Sequence, residues 1–401
     1  MSKVYIVSAK RTAIGSFLGS LSSMSPAEFG AKVVRNILDE TRINPSVISE
    51  VISGNILPAG QGQGIGRQVV LKAGLPHEIP GYVVSMVCGS GMKAIMDGYL
   101  KIQSGWSQVV IAGGTESMSQ APHLIPAKGR SGYKMGNLEI VDHMIYDALI
   151  DAYDGIHMGI TAENIAEKHQ ISRLEQDEFA MNSQQKAILA VDSGRFADEI
   201  VPIEVKIGKE IMVFKDDEYP NRKTSLEKLQ TLKPVFKKDG SVTAGNASGI
   251  NDGASYVMLA TEDIVKQFNL TPLVEIVAVD QAGIDPKLMG LGPVGAVKNV
   301  LKRAKLHLSD IQLIELNEAF AAQSIGVIKE LSEEYDITYQ SIVDKTNVNG
   351  GAIALGHPVG SSGARILVTL IHELKKRQLT YGLASLCIGG GMGTAIIIKN
   401  V

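Results

Sequence analysis

Two cysteines are the residues of this sequence whose surroundings most favour covalent chemistry. The chain contains only Cys88 and Cys387. Cys88 follows an apolar, strand-like run and precedes Gly-Ser-Gly and an apolar helical pattern. At the start of a helix, unpaired backbone N–H groups and the helix dipole favour a thiolate and lower the pKa of the thiol. We interpret Cys88 as a candidate nucleophile, because the glycines let a carbonyl reach the sulfur. A buried core cysteine is the alternative.

Three further residues could assist this nucleophile. Cys387 lies between a strand-like run and I-G-G-G-M-G, where backbone N–H groups could form part of an oxyanion hole, although alone it could be a core cysteine. His357 lies between Gly356 and Pro358, on a rigid turn rather than an apolar helix face, and is therefore the best candidate base. Asn317, in L-N-E-A-F-A-A, could orient a water or an oxyanion, or could cap the helix that follows.

Motifs for other chemistries are missing from the sequence. It holds no G-x-x-x-x-G-K-[ST], no G-x-S-x-G and no H-E-x-x-H, and no G-x-G-x-x-G fits a dinucleotide-binding unit. Zinc-type C-x-x-C pairs are also absent, and two cysteines cannot form a secreted disulfide framework. These absences leave a cysteine and histidine enzyme with a second cysteine.

Composition limits the partners of the protein. The 401 residues include 39 Lys and Arg against 42 Asp and Glu, so no bulk positive field attracts a nucleic acid or an anionic membrane. The first residues contain no apolar segment long enough for a signal peptide, and no uninterrupted apolar run is long enough to span a bilayer. We expect a reduced, soluble, cytoplasmic protein that binds neither nucleic acid nor membrane.

Hydrophobic patterning predicts the elements that must position these side chains. Short β-branched runs alternate with amphipathic helical patterns, which favours an α/β fold with largely buried sheets. These runs are V-Y-I-V (4–7), V-V-I-A (109–112), L-V-E-I-V-A-V (273–279), L-I-E-L (313–316) and A-I-I-I (395–398). The order strand, glycine-rich turn, helix, strand and Gly-Gly occurs twice, once in each half of the chain, and suggests an internal duplication.

The amino-acid composition of the chain changes between residues 119 and 249. This segment holds most of the ionic clusters, and residues 205–240 carry nine Lys and Arg against six Asp and Glu. The charges could form an ordinary solvated surface. Because the whole chain offers no bulk attraction, an anionic ligand would have to be held by a local basic stretch of this kind.

Motifs throughout the chain closely resemble those of the thiolase family, and within it the short-chain members. The matching segments are S-A-K-R-T-A-I-G-S-F (8–17), V-C-G-S-G-M-K (87–93), G-G-T-E-S-M-S (113–119), G-I-H-M-G-I-T-A-E-N (155–164), T-A-G-N-A-S-G-I-N-D-G (243–253), L-N-E-A-F-A-A-Q (316–323), N-G-G-A-I-A-L-G-H-P-V-G-S-S-G-A-R (349–365) and C-I-G-G-G-M-G-T-A (387–395). Their common order along the chain makes the resemblance specific.

The resemblance implies a five-layered αβαβα fold built from two βαβαβαββ halves. It places one core half in residues 1–118 with 250–271 and the other in 272–401. An inserted, CoA-binding loop domain would then occupy residues 119–249. Residues 332–346 make a longer link than is usual in the family, and we expect a surface elaboration there.

The resemblance also implies a mechanism, the reversible condensation of two acetyl-CoA molecules to acetoacetyl-CoA and CoA, without a metal or redox cofactor. Cys88 would be acetylated with the assistance of His357, and Cys387 would then remove an α-proton from the second acetyl-CoA. His357 Nε2 and a water held by Asn317 would form the oxyanion hole for the enolate. The backbone N–H groups of Cys88 and Gly389 would serve the acyl-enzyme step.

Substrate-binding residues follow from the same resemblance. His157 and Met158 would lie beside the acyl pocket. Further positions would line the pantetheine channel: Leu149, Phe236, Ala244, Ser248, Met289, Ala319 and Phe320. Arg222, in Y-P-N-R-K-T-S, is shifted by one position from the family arginine near the CoA adenine and phosphates, so Lys223 could serve instead.

The predicted activity is therefore that of an acetyl-CoA C-acetyltransferase, with acetyl-CoA, acetoacetyl-CoA and CoA as its ligands. A broader-chain 3-ketoacyl-CoA thiolase is the nearest alternative, and a catalytically silent acyl-CoA-binding protein is an alternative of another class. Related ketoacyl synthases typically carry histidine where Cys387 stands. By resemblance we expect a homotetramer.

Overall fold

The computed structural model describes residues 3–401, and its framework is a ten-stranded mixed sheet covered by helices. The strands are β1 (Val4–Arg11), β2 (Gly15–Ser16), β3 (Glu50–Gly54), β4 (Gly81–Val84), β5 (Val109–Ser117), β6 (His123–Leu124), β7 (Val141–Asp142), β8 (Ile203–Ile207), β9 (Glu210–Phe214), β10 (Asn251–Thr261), β11 (Val274–Gly283), β12 (Leu313–Leu316), β13 (Tyr381–Ile388) and β14 (Met392–Asn400). β6 with β7, and β8 with β9, form separate hairpins.

Helices alternate with these strands. They are α1 (Pro26–Thr41), α2 (Ile65–Lys72), α3 (Ser90–Gln103), α4 (Met158–Lys168), α5 (Arg173–Asp192), α6 (Leu226–Thr231), α7 (Glu262–Gln267), α8 (Gly292–Ala304), α9 (Ala321–Tyr335), α10 (Tyr339–Asp344), α11 (Ala352–Leu355) and α12 (Val359–Lys376). Short 3₁₀ turns lie at Pro45–Val47, Ala127–Ser131, Pro286–Leu291 and Leu308–Asp310, and a π-helical turn lies at Ile145–Leu149. None of the helices within residues 3–401 combines the length and apolar character needed to cross a membrane.

The sheet consists of two similar halves joined edge to edge. Its strand order is β12-β13-β14-β11-β1-β10-β5-β3-β4, and β2 pairs with β10. The halves meet where β1 pairs with β11, with Tyr5 opposite Glu275. In each half three antiparallel inner strands, β1-β10-β5 or β11-β14-β13, lead to parallel outer strands. The outermost strand of the second half is reduced to a single parallel bridge between Ile314 and Thr346.

Each half of the sheet packs against the central helices with one face and against outer helices with the other. Outer helices, sheet halves and central helices therefore form five layers. In β5, Val110 faces the central helices α3 and α12, whereas Val109 faces the outer helices α1 and α2. In β14, Ile396 faces the same central helices, whereas Ile397 faces the other outer helices, α8 and α9. Burying both faces of each strand accounts for the nearly continuous apolar runs. The predicted five-layered αβαβα fold with duplicated halves is confirmed.

The two central helices approach each other at backbone distance because glycines face each other where the helices begin. A Cβ atom on Gly363 of α12 would lie 2.7 Å from the amide nitrogen of Met92 in α3. A Cβ atom on Gly91 of α3 would lie 2.9 Å from the carbonyl oxygen of Gly360. Only glycine, which has a hydrogen atom in place of a Cβ atom, allows the two helix backbones to approach so closely. The contact brings together the turns that carry Cys88 and His357.

The chain leaves the sheet between the end of β5 at Ser117 and the start of β10 at Asn251. This segment contains both hairpins, the π-helical turn and α4 to α6. Arg11 of β1 ties it to the sheet through its Nε, 2.6 Å from Glu199 Oε1, and its Nη1, 2.7 Å from Asp217 Oδ1. Further along, the longer link at residues 332–346 contains α10, which packs against α9, buries Ile342 and exposes Gln340, Ser341 and Asp344.

Candidate active site

Cys88, His357 and Cys387 line one cavity of about 550 Å³. It lies where parallel strands of both halves end, since β4 precedes Cys88 and β13 ends one residue after Cys387. Ligands of α/β folds commonly bind at the carboxyl ends of the strands. Nine of the eleven predicted substrate-binding residues also line this cavity: Leu149, His157, Met158, Phe236, Ala244, Ser248, Met289, Ala319 and Phe320.

A sharp turn between β4 and α3 presents the Cys88 thiol. Val87 has a φ of 44°, in the left-handed region that a β-branched residue rarely adopts. The hydroxyl of Ser90 braces the turn, since it accepts from the Met86 N–H at 2.8 Å and donates to the Val87 carbonyl at 2.7 Å. Backbone strain of this kind clusters at functional sites and is maintained by its surroundings.

The thiol of Cys88 is neutral in this environment. Burial raises its pKa to about 11, while hydrogen bonds from the backbone N–H groups of Gly389 and of Cys88 itself oppose the rise. The expectation that the helix start lowers the pKa of this thiol is therefore wrong, because desolvation outweighs the local dipoles. The two amides nevertheless point at the sulfur, and they are the pair predicted to form an oxyanion hole.

His357 is a neutral base held in one tautomer. Burial and the nearby Arg365 guanidinium lower the pKa of the imidazole to about 4. Nδ1 lies 2.6 Å from the Ser362 hydroxyl, which donates its own proton to the Pro358 carbonyl at 2.9 Å. The hydroxyl therefore accepts from Nδ1–H, and Nε2 retains its lone pair. The backbone N–H of His357 donates to Asn251 Oδ1 at 2.9 Å and fixes the turn.

Cys387 lies at the end of β13 and is fully buried. Burial and the neighbouring Cys88 sulfur both raise the pKa of its thiol. Gly390 and Gly391, which follow it, both have a φ of 84°, a conformation that glycine adopts readily. This turn places the Gly389 amide against Cys88, so the two cysteines and the predicted oxyanion donors form one cluster.

Asn317 follows β12 and is fully buried, but it does not line the cavity described by residues 3–401. Its backbone N–H donates to the Ser385 carbonyl at 3.0 Å. Neither side-chain polar atom of Asn317 has a hydrogen-bond partner within the described chain, an arrangement that suits a residue holding a water. The alternative role as a helix cap is wrong, because α9 begins at Ala321 with Phe320 in the capping position.

Aromatic side chains form one wall of the cavity. The His157 ring stacks on Phe236 with centroids 4.5 Å apart, and Phe236 meets Phe320 edge to face at 6.2 Å. Nδ1 of His157 accepts from the Gly159 N–H at 3.0 Å, and burial lowers the pKa of this imidazole. Since a Cβ atom on Gly159 would lie 2.2 Å from the Phe236 ring, the glycine of H-M-G permits the stack.

The structure separates the two predicted phosphate-binding cations from the main cavity. Arg222 pairs with Asp192 at the surface, with 2.9 Å between Nη1 and Oδ2, and lines neither cavity described here. Lys223 lines a second cavity of about 290 Å³, together with Lys228. Tyr219 and Ala244 border both cavities, so the second cavity adjoins the first.

Two family profiles together cover nearly the whole chain. Residues 4–263 match the thiolase N-terminal domain, and residues 270–400 match the thiolase C-terminal domain. The chain belongs to the thiolase family. The family resemblance predicted from the motifs is therefore confirmed. Among residues 3–401 of this thiolase, no group of three or more His, Cys, Asp or Glu side chains is arranged to hold a metal ion.

Three known proteins resemble this thiolase over nearly their full length. A probable acetyl-CoA acyltransferase of Staphylococcus aureus is 50% identical, and the alignment covers 100% of both chains. The crystal structure of the Bacillus anthracis acetyl-CoA acetyltransferase has a TM-score of 0.95 and 43% identity, covering 100% of this chain and 99% of that one. Human mitochondrial 3-ketoacyl-CoA thiolase in complex with CoA has a TM-score of 0.93 and 44% identity, covering 100% and 98%.

Sequence reasoning about this thiolase missed part of the cavity lining. The additional residues are Ser16, Phe17, Met118, Ala148, Tyr219, Val235, Ala247, Gly249, Ile250 and Val359. Many are apolar and come from segments far apart in the chain, so their patterns are indistinguishable from those of core residues. The glycine cluster G-N-A-S-G (245–249) was the one available signal in the sequence. Its last residue, Gly249, packs directly on the Tyr219 ring.

Proposed function

We propose that this protein is an acetyl-CoA C-acetyltransferase that condenses two acetyl-CoA molecules reversibly through an acetylated Cys88. The convergence of Cys88, His357 and Cys387 on one apolar cavity carries the proposal. The names of the Staphylococcus aureus relative and the Bacillus anthracis structure support acyl transfer from acetyl-CoA. Thiolases are acyltransferases, and the chain is an enzyme of this class.

The first half-reaction begins from the neutral pair of Cys88 and His357. The thiol proton passes to the Nε2 lone pair, and the sulfur attacks the thioester carbonyl of acetyl-CoA. The oxyanion accepts hydrogen bonds from the N–H groups of Cys88 and Gly389. When the intermediate collapses, the bond from carbon to the CoA sulfur breaks. The CoA thiolate takes a proton from Cys387, which leaves a thiolate on that residue.

The second half-reaction uses this thiolate as a base. Cys387 takes an α-proton from a second acetyl-CoA, and the enolate oxygen accepts from His357 Nε2–H and from a water held by Asn317. The carbanion attacks the acetyl carbon on Cys88 to form acetoacetyl-CoA. The Cys88 sulfur leaves and recovers its proton from His357, which restores both groups. Proton transfer and thioester exchange complete the cycle without a metal or redox cofactor.

For CoA, we propose that the inserted loop domain, residues 119–249, supplies the binding surface. The pantetheine arm would lie in the main cavity, whose wall includes Phe236. The phosphates would lie toward Lys223 and Lys228 in the adjoining cavity. Local cations are required because the chain as a whole carries a net charge of −3. Arg222 is engaged by Asp192 and is a weaker candidate than Lys223.

A test of the nucleophile uses Cys88→Ala and mass spectrometry after incubation with acetyl-CoA. We expect the wild-type peptide that contains Cys88 to gain an acetyl group, and the variant to gain none while its circular dichroism spectrum is unchanged. Cys387→Ala is the matched control, since it retains the nucleophile and should still be acetylated. Wild-type labelling of Cys88→Ala would refute the proposal.

The similarity to human mitochondrial 3-ketoacyl-CoA thiolase, in both fold and sequence, supports the alternative of a broader 3-ketoacyl-CoA thiolase. The stacked ring of Phe236, with Phe320 at its edge, favours the short chain. Thiolysis of acetoacetyl-CoA should be faster than thiolysis of a 3-ketoacyl-CoA with eight or more acyl carbons. The opposite order would favour the broader enzyme. A silent acyl-CoA-binding protein would show neither reaction.

We further propose that the enzyme is a cytoplasmic homotetramer. Both cysteines are free thiols, and a reducing compartment keeps them so. Large apolar side chains are exposed along residues 125–153, a pattern that marks protein interfaces. They are Ile125, Met135, Leu138, Ile140, Ile145, Tyr146 and Tyr153.

A further inference from the structure

Glu116 is a buried carboxylate near the site that the proposed mechanism does not use. It belongs to β5 and is fully inaccessible to solvent. Oε1 accepts from the Leu57 N–H at 3.1 Å and from Asn55 Nδ2 at 2.8 Å. Oε2 accepts from the Ile56 N–H at 3.0 Å and from the Gly360 N–H at 2.9 Å. Four donors therefore converge on a single side chain.

Only a carboxylate satisfies this set of donors. Each oxygen accepts two hydrogen bonds, and all four partners are N–H groups that cannot accept one in return. The amide of a glutamine would direct its own NH₂ group at two of these donors. A buried donor left unpaired in this way carries its full desolvation cost. The side chain at this position is thus specified by the geometry of its acceptor oxygens; burial raises the pKa of Glu116 to about 8, and the backbone N–H donors oppose that rise.

The four hydrogen bonds join three segments around the cavity. Gly360 is in the first turn of α12, three residues after His357. A Cβ atom on Gly360 would lie 2.3 Å from Glu116 Oε2, so glycine is required for the approach. Ile56 and Leu57, after β3, belong to the apolar cluster that also packs against Cys88. Glu116 itself does not line the cavity that residues 3–401 enclose.

We propose that Glu116 is a positioning residue that fixes His357 against Cys88 by holding the Gly360 amide and the 55–57 loop together. This inference rests on the proposed function, in which His357 Nε2 takes the proton of Cys88. Ser362 fixes the tautomer and Asn251 the backbone of His357. Glu116 fixes the start of α12, which carries Ser362 and directly follows the turn that holds His357, relative to the half of the sheet that presents Cys88.

The test is Glu116→Gln, measured by single-turnover acetylation of Cys88 with acetyl-CoA. We expect the rate at saturating acetyl-CoA to fall about 100-fold, as misplacement of a catalytic group by about 1 Å can cause. The concentration of acetyl-CoA that gives half the maximal rate should be unchanged, because the cavity lining is intact. A structural role alone would lower the midpoint of thermal unfolding without this selective loss of rate.

Glu50→Gln provides the matched control. Glu50 is also buried in the first half of the sheet, but it lies at the opposite end of β3, with Ser107 Oγ donating to it at 3.1 Å. The Glu50→Gln variant should be less stable than the wild type but should keep the wild-type rate of Cys88 acetylation. Glu116→Asp is the second variant, because it keeps the carboxyl group but is one methylene too short to reach Gly360, and its acetylation rate should fall as well.

The outcomes separate this inference from the proposed function. If wild-type Cys88 is not acetylated, the proposed function fails. If wild-type Cys88 is acetylated and both Glu116 variants react as fast as Glu50→Gln, the function stands and the positioning role is overturned. Rates that fall only in proportion to the folded fraction, in both Glu116 variants, would also overturn it.

Discussion

Cys88 and His357 have pKa values displaced in opposite directions, to about 11 and about 4. Both shifts favour uncharged groups, because burial penalises the thiolate and the imidazolium alike. Both groups are therefore uncharged in the resting site, and in the proposed mechanism the proton passes from Cys88 to His357 as the sulfur attacks the thioester. The oxyanion donors then stabilise a charge that develops during the reaction rather than one already present.

The pH dependence of Cys88 acetylation follows from the lowered pKa of His357. An imidazole that accepts a proton must start neutral, so the rate should be level at neutral pH and fall only as pH approaches about 4. An ordinary histidine would lose activity near its usual pKa of about 6.5. Single-turnover rates measured across this range, with circular dichroism as a check of folding, distinguish the two. A decline centred near pH 6.5 would contradict the burial argument.

Ser362 is expected to set the tautomer of His357. In Ser362→Ala, Nδ1–H loses its acceptor, and the tautomer with the proton on Nε2, which cannot accept from Cys88, becomes competitive. We expect acetylation of Cys88 to slow about 100-fold, within the range of general-base effects. Ser361→Ala is the control, because the Ser361 hydroxyl contacts Ser255 instead. Equal rates in the two variants would remove Ser362 from the mechanism.

At the scale of elements, the close contact of α3 and α12 brings the cysteine turn beside the histidine turn. Glycine is the residue that permits it, which gives the clustered glycines of the sequence a specific structural role. Gly91 lies three residues after Cys88 and Gly363 six residues after His357, and a Cβ atom on either would meet the backbone of the other helix. The duplication therefore produces one site, because each half contributes the start of one central helix and the two starts pack against each other.

Gly363→Ala should disturb both stability and catalysis. The new Cβ atom would lie 2.7 Å from the Met92 amide nitrogen, and a backbone atom cannot move aside without moving α3. We expect a loss of about 1–3 kcal/mol in the free energy of unfolding, as for other overpacked cores, and slower acetylation of Cys88. Denaturant unfolding and single-turnover rates provide the measurements.

Gly98→Ala is the matched control for this substitution. Its Cβ atom would also approach a neighbour to 2.7 Å, but the neighbour is the terminal Cδ1 of Leu259, which can rotate away. This variant should keep its acetylation rate. If Gly363→Ala resembles Gly98→Ala in both measurements, the close contact of the helices is not what aligns the two turns.

Sequence reasoning predicted most of this arrangement, and its failures have physical causes. Cys88, His357 and Cys387 could be found because glycine-rich turns follow or flank them. Ile250 and Val359 could not, since apolar residues that line a cavity have the same local pattern as core residues. The raised pKa of Cys88 was also out of reach, because burial depends on how distant segments pack rather than on the neighbouring residues.

At the scale of the whole molecule, the inserted segment is fastened to the sheet close to the site. Arg11 is fully buried, and Asp217 accepts from it and from the Ile14 N–H at 2.7 Å. Two residues later, Tyr219 borders both cavities. Removing one partner of a buried ion pair destabilises the fold by more than the pair itself stabilises it, because the other charge remains buried and unpaired. The segment that borders both cavities is thus fixed in position against β1.

Assembly of four chains would bury the apolar surface along residues 125–153. Met135 is 95% exposed and Tyr146 is 62% exposed, although neither lines the cavity enclosed by the described residues. Light scattering should give the mass of four 42.8 kDa chains for the wild type. Met135→Glu with Tyr146→Glu should give a smaller assembly, because two carboxylates per chain would be desolvated or repelled at the contact.

The matched control is Ile211→Glu, an equally apolar residue, 72% exposed, in the β8–β9 hairpin. It should leave the mass at four chains, since Ile211 lies outside the 125–153 surface. Acetylation of Cys88 should be retained in all three proteins, because none of the substituted side chains belongs to the site.

If the double variant keeps the mass of four chains, this surface does not hold the tetramer together. If the wild type has the mass of one chain, the assembly itself is wrong. A reduction caused equally by Ile211→Glu would indicate general destabilisation rather than loss of a specific contact.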